Sequence, residues 1–138
     1  RRWGATRVTG SLAWLDGRNL NANTPLYHQM PLDAKLGLTH RLGGLEAGVD
    51  LEAVSAKTRV DPARREPVTG AYTLVNLHGA YGWRNYRFSL DVTNLFDRAY
   101  ALPLGGLSLG DYKASGGALL RPVPGRGRSI NLGLSARF

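Results

Sequence analysis

Along most of this chain polar and apolar residues alternate one by one. That period of two constrains the fold more than any other feature. The last run shows it best: Ile130, Leu132, Leu134, Ala136 and Phe138 are apolar, while Ser129, Asn131, Gly133, Ser135 and Arg137 are not. Tyr86, Phe88, Leu90 and Val92 alternate in the same way with Arg87, Ser89, Asp91 and Thr93. Further runs place Val8, Leu12 and Trp14 on one side; then Leu32, Ala34, Leu36 and Leu38; then Leu45, Ala47, Val49, Leu51 and Ala53; then Val75, Leu77, Tyr81 and Trp83. Leu74 breaks the polar side of the fourth of these runs. The pattern predicts an all-β fold, an antiparallel up-and-down meander of about six strands.

The connections differ in length. Gly43-Gly44 and the turn in Trp83–Tyr86 are tight hairpin signals, whereas the segments 16–25, 58–70 and 102–125 are rich in Gly, Pro, Asn and charge. Tight turns thus alternate with long loops, as in an up-and-down membrane barrel. No apolar run reaches the roughly 18 residues of a transmembrane helix, but a barrel strand dilutes its apolar residues by alternation. Alternation alone fits a soluble sheet as well, with the apolar side on a core.

Two features favour the membrane reading. Tyr81, Trp83, Tyr86 and Phe88 flank one tight turn on the apolar side, as an interfacial aromatic girdle requires, and Phe138 falls at the same end. The polar side carries Arg7, Asp33, Lys35, Arg41, Glu46, Asp50, Glu52, Arg87, Asp91 and Arg137. Such charges need water or one another, and a hydrated lumen offers both. Six strands are fewer than the eight or so of the smallest membrane barrels. The chain also opens at Arg1-Arg2-Trp3, already strand-like. We therefore expect residues 1–138 to be the C-terminal part of a longer barrel domain, without its plug and N-terminal strands.

Two segments and the hairpin that precedes them carry a family resemblance. "NLFDRAY" (Asn94, Leu95, Phe96, Asp97 to Tyr100) resembles a hallmark near the C-terminus of TonB-dependent outer-membrane receptors. "PGRGRSINLGLSARF" (Pro124–Phe138) resembles their final strand, and "GAYTLVNLHGAYGW" (Gly70–Trp83) their penultimate hairpin. "PGRGR" departs from the shorter turn usual before that strand. The resemblance implies a barrel of about 22 strands around a plug, of which this chain would supply the last six. It implies bacterial outer-membrane localisation and TonB-energised uptake of a scarce ligand such as a siderophore-like metal chelate. The implied partners are the remaining strands and plug of the same receptor, and TonB through an upstream segment. Outer-membrane lipid and lipopolysaccharide would also be partners, as would the barrel-assembly machinery, which reads Ile130, Leu132, Leu134, Ala136 and Phe138 by strand addition. Asn94 to Asp97 would form a structural bend, with Tyr100 near the outer rim.

The alternative is a soluble all-β ligand-binding module. The sequence has no P-loop, nucleophile elbow, His-Glu-x-x-His or EF-hand, so no catalytic residue, cofactor or metal site is assigned and no enzyme is expected. Cysteine is absent, which removes thiolate chemistry. The net charge of +8 is spread over loops and strand ends without a stacking pair of aromatics, which argues against nucleic acid. Arg59, Arg64, Arg65, Arg121, Arg126 and Arg128 fall in the long loops and would suit lipid phosphates. Tyr27-His28-Gln29-Met30 joins a His to the only Met, a pairing that suits copper, but two ligands make no site.

Overall fold

The computed structural model describes residues 5–137. Its main sheet has six strands, each hydrogen-bonded to its neighbours in chain order. These are β1 (Ala5–Ala13), β4 (Asp33–Leu42), β5 (Leu45–Val54), β6 (Tyr72–Trp83), β7 (Tyr86–Thr93) and β8 (Ser129–Ala136). Every neighbouring pair is antiparallel. The fold is the expected all-β up-and-down meander. No described helix is long and apolar enough to cross a membrane.

Register keeps the two faces separate across the whole sheet. Leu38 stands opposite Val8 and Val49, Val49 opposite Leu77, and Leu77 opposite Val92, which faces Ile130. A slip of one residue at any pair would mix the faces. Two tight turns close one end: Gly43-Gly44 between β4 and β5, where Gly43 takes φ +58°, and Arg84-Asn85 between β6 and β7. The other end carries the long connections 14–32, 55–71 and 94–128.

Those connections hold structure that periodicity did not predict. The turn-rich stretch contains a small hairpin of β2 (Arg18–Asn19) and β3 (Thr24–Pro25). A 3-10 turn spans Pro62–Arg64, and α1 (Leu109–Ala114) interrupts the Gly/Pro-rich segment, capped by Ser108.

Buried apolar residues are few, and most do not lie on the alternating apolar face. Val54, Tyr72 and Leu74 form the core cluster, with Met30 and Tyr100 packed against it. Val54, Tyr72 and Leu74 have the polar-face parity of their strands. The long connections therefore fold over the polar face at their end of the sheet, and Leu74, which interrupts the alternation, is buried beneath them. The apolar face is bare by comparison: Leu12, Leu36 and Leu132 are 73%, 53% and 82% exposed.

Candidate functional site

The polar wall organises its charges in cross-strand sets. Lys35 of β4 reaches Glu52 across the pair at 3.6 Å and Asp33 at 3.4 Å. Glu46 is bonded by Arg41, with Arg87 3.9 Å away. Between these sets, His78 Nδ1 lies 3.0 Å from Asp50 Oδ2, and its Nε2 lies 3.1 Å from Thr39 Oγ1. Gly48 makes this possible, because a Cβ there would run into the His78 ring.

A carboxylate, an imidazole and a hydroxyl in line share the geometry of a nucleophile relay. An acyl-transfer centre also needs free backbone donors for an oxyanion. Thr39 is paired on both sides, with Arg7 and Gly48, so its backbone is committed to the ladder. The trio is a hydrogen-bonded strut across β4, β5 and β6. No group of three or more His, Cys, Asp or Glu that could hold a metal occurs among the described residues.

The aromatic set Tyr81, Trp83, Tyr86 and Phe88 comes together as two cross-strand pairs, Tyr81 with Phe88 and Trp83 with Tyr86. All four are between 42% and 50% exposed on the apolar face at the tight-turn end. Ile130, Leu132, Leu134 and Ala136 lie on the same face of β8, whose outer edge has no partner strand among the described residues. Phe138 lies outside the described residues.

Asn94 ends β7 with φ +51° and is 3% exposed. Its side chain donates to the carbonyls of Arg98 (2.9 Å) and Arg126 (3.1 Å) and accepts from Arg98 N–H (2.8 Å). Asp97, also at positive φ, accepts from Arg128 N–H at 2.8 Å. Leu95 N–H donates to the Val75 carbonyl, so the chain runs on beside β6. Phe96 is 73% exposed, and Tyr100 packs against Tyr72 with ring centroids 4.5 Å apart.

The loop cap is held by a contact that sequence reasoning missed. Lys57 Nζ donates to Glu66 Oε1 at 2.6 Å and to the Pro103 carbonyl at 2.8 Å, and both side chains are 2% exposed. Glu66 also accepts the His28 and Asp61 N–H groups, each at 2.9 Å. One ion pair therefore ties the connections 14–32, 55–71 and 94–128 together. Burial opposes ionisation of Glu66, but the bonds from Lys57, Asp61 and His28 outweigh it and hold the carboxyl below its usual range. In sequence the pair looks like two more charges in a polar loop, and no local signal marks it.

The Tyr27–Met30 segment is built into the same cap. Gln29 Nε2 donates to the carbonyls of Gly17 and Leu26, and Met30 joins the core cluster. His28 stacks on Tyr27, with centroids 4.1 Å apart. Of the loop arginines, Arg59 pairs with Asp16, Arg64 lies over the Tyr27 ring, and Arg65 donates to the Tyr112 hydroxyl. Arg121, Arg126 and Arg128 are exposed.

No protein-family model matches the chain, and no curated protein matches it. Among solved structures it is similar to the copper transporter OprC. The TM-score is 0.83 at 26% sequence identity, over 97% of this chain. The match takes in 21% of the transporter, so the chain spans about a fifth of the structure it resembles.

Proposed function

We propose that this chain is a segment of the barrel wall of a bacterial outer-membrane receptor for metal uptake. The observation that carries the reading is the uncovered apolar face. Each large side chain there would gain on the order of 1.5–3 kcal/mol on leaving water, and lipid is the surrounding that removes all of them together. The opposite face is charged, hydrogen-bonded and suited to a hydrated lumen. The likeness to a copper transporter supports a metal ion or metal chelate as cargo. In this reading the tight turns lie on the periplasmic side and the capped loops outside.

The finer assignments follow from the sequence resemblance: energisation through TonB, a siderophore-like chelate, a plug and further strands, and delivery of β8 to the barrel-assembly machinery. The aromatic pairs around Arg84-Asn85 would sit at the periplasmic interface, and Asn94–Asp97 would serve as a structural bend. A soluble binding module would need a second layer over the apolar face, and the described residues supply none.

The test is metal accumulation by a strain lacking the coding sequence. Uptake from copper-limited medium, and of iron supplied as a siderophore chelate, should fall, and a protonophore should abolish the difference from the parent. Unchanged accumulation of both metals would overturn the uptake reading.

A further inference from the structure

The apolar face is not smooth at its loop end. Ala34, Ala53 and Thr73 are register neighbours across β4, β5 and β6, and their small side chains leave a depression of about 440 Å³. That volume falls within the roughly 300–1,000 Å³ of small-molecule sites. A second depression of about 130 Å³, lined by Trp14 and Met30, shares Leu32 and Ser55 with the first. The larger opens on the apolar side of the wall, at the opposite end from the aromatic pairs, and the smaller adjoins it at the rim of the cap.

The larger depression is a mostly apolar groove with one cation at its end, whereas the smaller is mixed, with Gln29, Lys57 and Thr58 in its lining. Arg98 lines the larger depression, brought there by the run of Leu95 beside Val75. Its backbone is fixed by Asn94, but its guanidinium has no hydrogen-bond or ion-pair partner among the described residues. Arg59 lines the smaller depression and is paired with Asp16. An unpaired guanidinium beside an apolar groove at a membrane rim is complementary to a phosphate carried on acyl chains.

We propose that this groove binds a phosphate-bearing lipid, with an acyl chain along Ala34, Ala53 and Thr73 and the phosphate on Arg98. The inference rests on the membrane reading above. It differs from general attraction of basic loops to an anionic surface because it needs chain and headgroup together at one place.

The experiment is native mass spectrometry of the full chain released from detergent micelles. Dipalmitoyl phosphatidic acid, dipalmitoylglycerol and inorganic phosphate are the probes. One phosphatidic acid should be retained, about fivefold more tightly than the diacylglycerol. Arg98→Gln should remove that preference without unfolding the chain, since the side chain holds nothing else in place. Ala53→Leu should weaken both lipids by filling the groove.

Equal retention of the two lipids by the unaltered chain would overturn the proposal. So would displacement of phosphatidic acid by millimolar inorganic phosphate, which would leave only an anion site. A chain that does not enter micelles at all would fail earlier, at the membrane reading itself, and the proposal would fall with it.

Discussion

On the six-stranded wall Leu36, Leu38, Leu132 and Leu134 stand uncovered, whereas in the cap Val54, Tyr72 and Leu74 close around Met30 and Tyr100. Charge is distributed the other way. The wall leaves Lys35 and Arg41 more than half exposed beside their partners, and the cap shuts Lys57 and Glu66 almost completely away from solvent. A protein in water buries its apolar residues and exposes its charges, and the cap does the first while paying for its buried charges with hydrogen bonds on every side. The wall exposes both, because in our reading its apolar side meets lipid and its polar side meets water. The two regions therefore differ in what should break them.

The largest effect is expected in the cap. Lys57→Met strands the Glu66 carboxylate, and removing one member of a buried pair costs about 3–5 kcal/mol. Hydrogen-exchange protection at the His28 and Asp61 amides should collapse while strand amides in β5 and β6 stay protected. Replacing both members, Lys57→Met with Glu66→Leu, should recover much of the loss. If the single variant leaves those amides protected, the ion pair does not hold the cap.

The wall should answer to the side of the sheet that a charge is placed on. Leu38→Arg on the apolar face should cost about 2–4 kcal/mol in a bilayer, and Thr9→Arg on the polar face close to nothing. Denaturant titration in vesicles reads the difference. Equal costs would mean that the two faces see the same solvent.

At the junction of the two regions, Asn94→Ala orphans three backbone groups and should cost about 1–3 kcal/mol. Asn94→Asp keeps the acceptor for Arg98 N–H but sets a carboxylate oxygen against the Arg98 and Arg126 carbonyls, so it should cost at least as much by the same titration.

Acid should have the smallest effect, and should reach the cap late. Glu66 is held below its ordinary value of 4.5, so its contribution is complete above that pH and is lost as the pH falls through the lowered one. Protection of the His28 amide, corrected for intrinsic exchange, should be flat down to about pH 4.5 and decline below it. A decline at neutral pH would mean that the carboxyl is not the group holding the loop.

The same division explains what could be read from sequence. Side-chain direction in a strand repeats every two residues, so Leu36, Val49, Leu77 and Leu90 declare their face without knowledge of any partner. The turn at Gly43-Gly44 then sets the register. Cap contacts are long-range: Lys57 meets Pro103 across 46 positions and His28 meets Glu66 across 38. No local period encodes them. The one trace was negative, the apolar Leu74 on a polar face. The short helix Leu109–Ala114 spans less than two turns, too little for an amphipathic pattern to show. The strut of Asp50, His78 and Thr39 was half legible, since parity put all three on one face, but their contact needed the register and the gap at Gly48.

The most direct test of the account asks what each face of the wall touches. The chain has no cysteine, so single cysteines placed in turn at Ala47, Gly48, Val49, Asp50 and Leu51 can carry a nitroxide in lipid vesicles. The account predicts that labels at 47, 49 and 51 relax with dissolved oxygen in the bilayer and those at 48 and 50 with a water-soluble nickel chelate. Accessibility that does not alternate, or alternates in the opposite sense, would contradict a wall whose apolar face meets lipid.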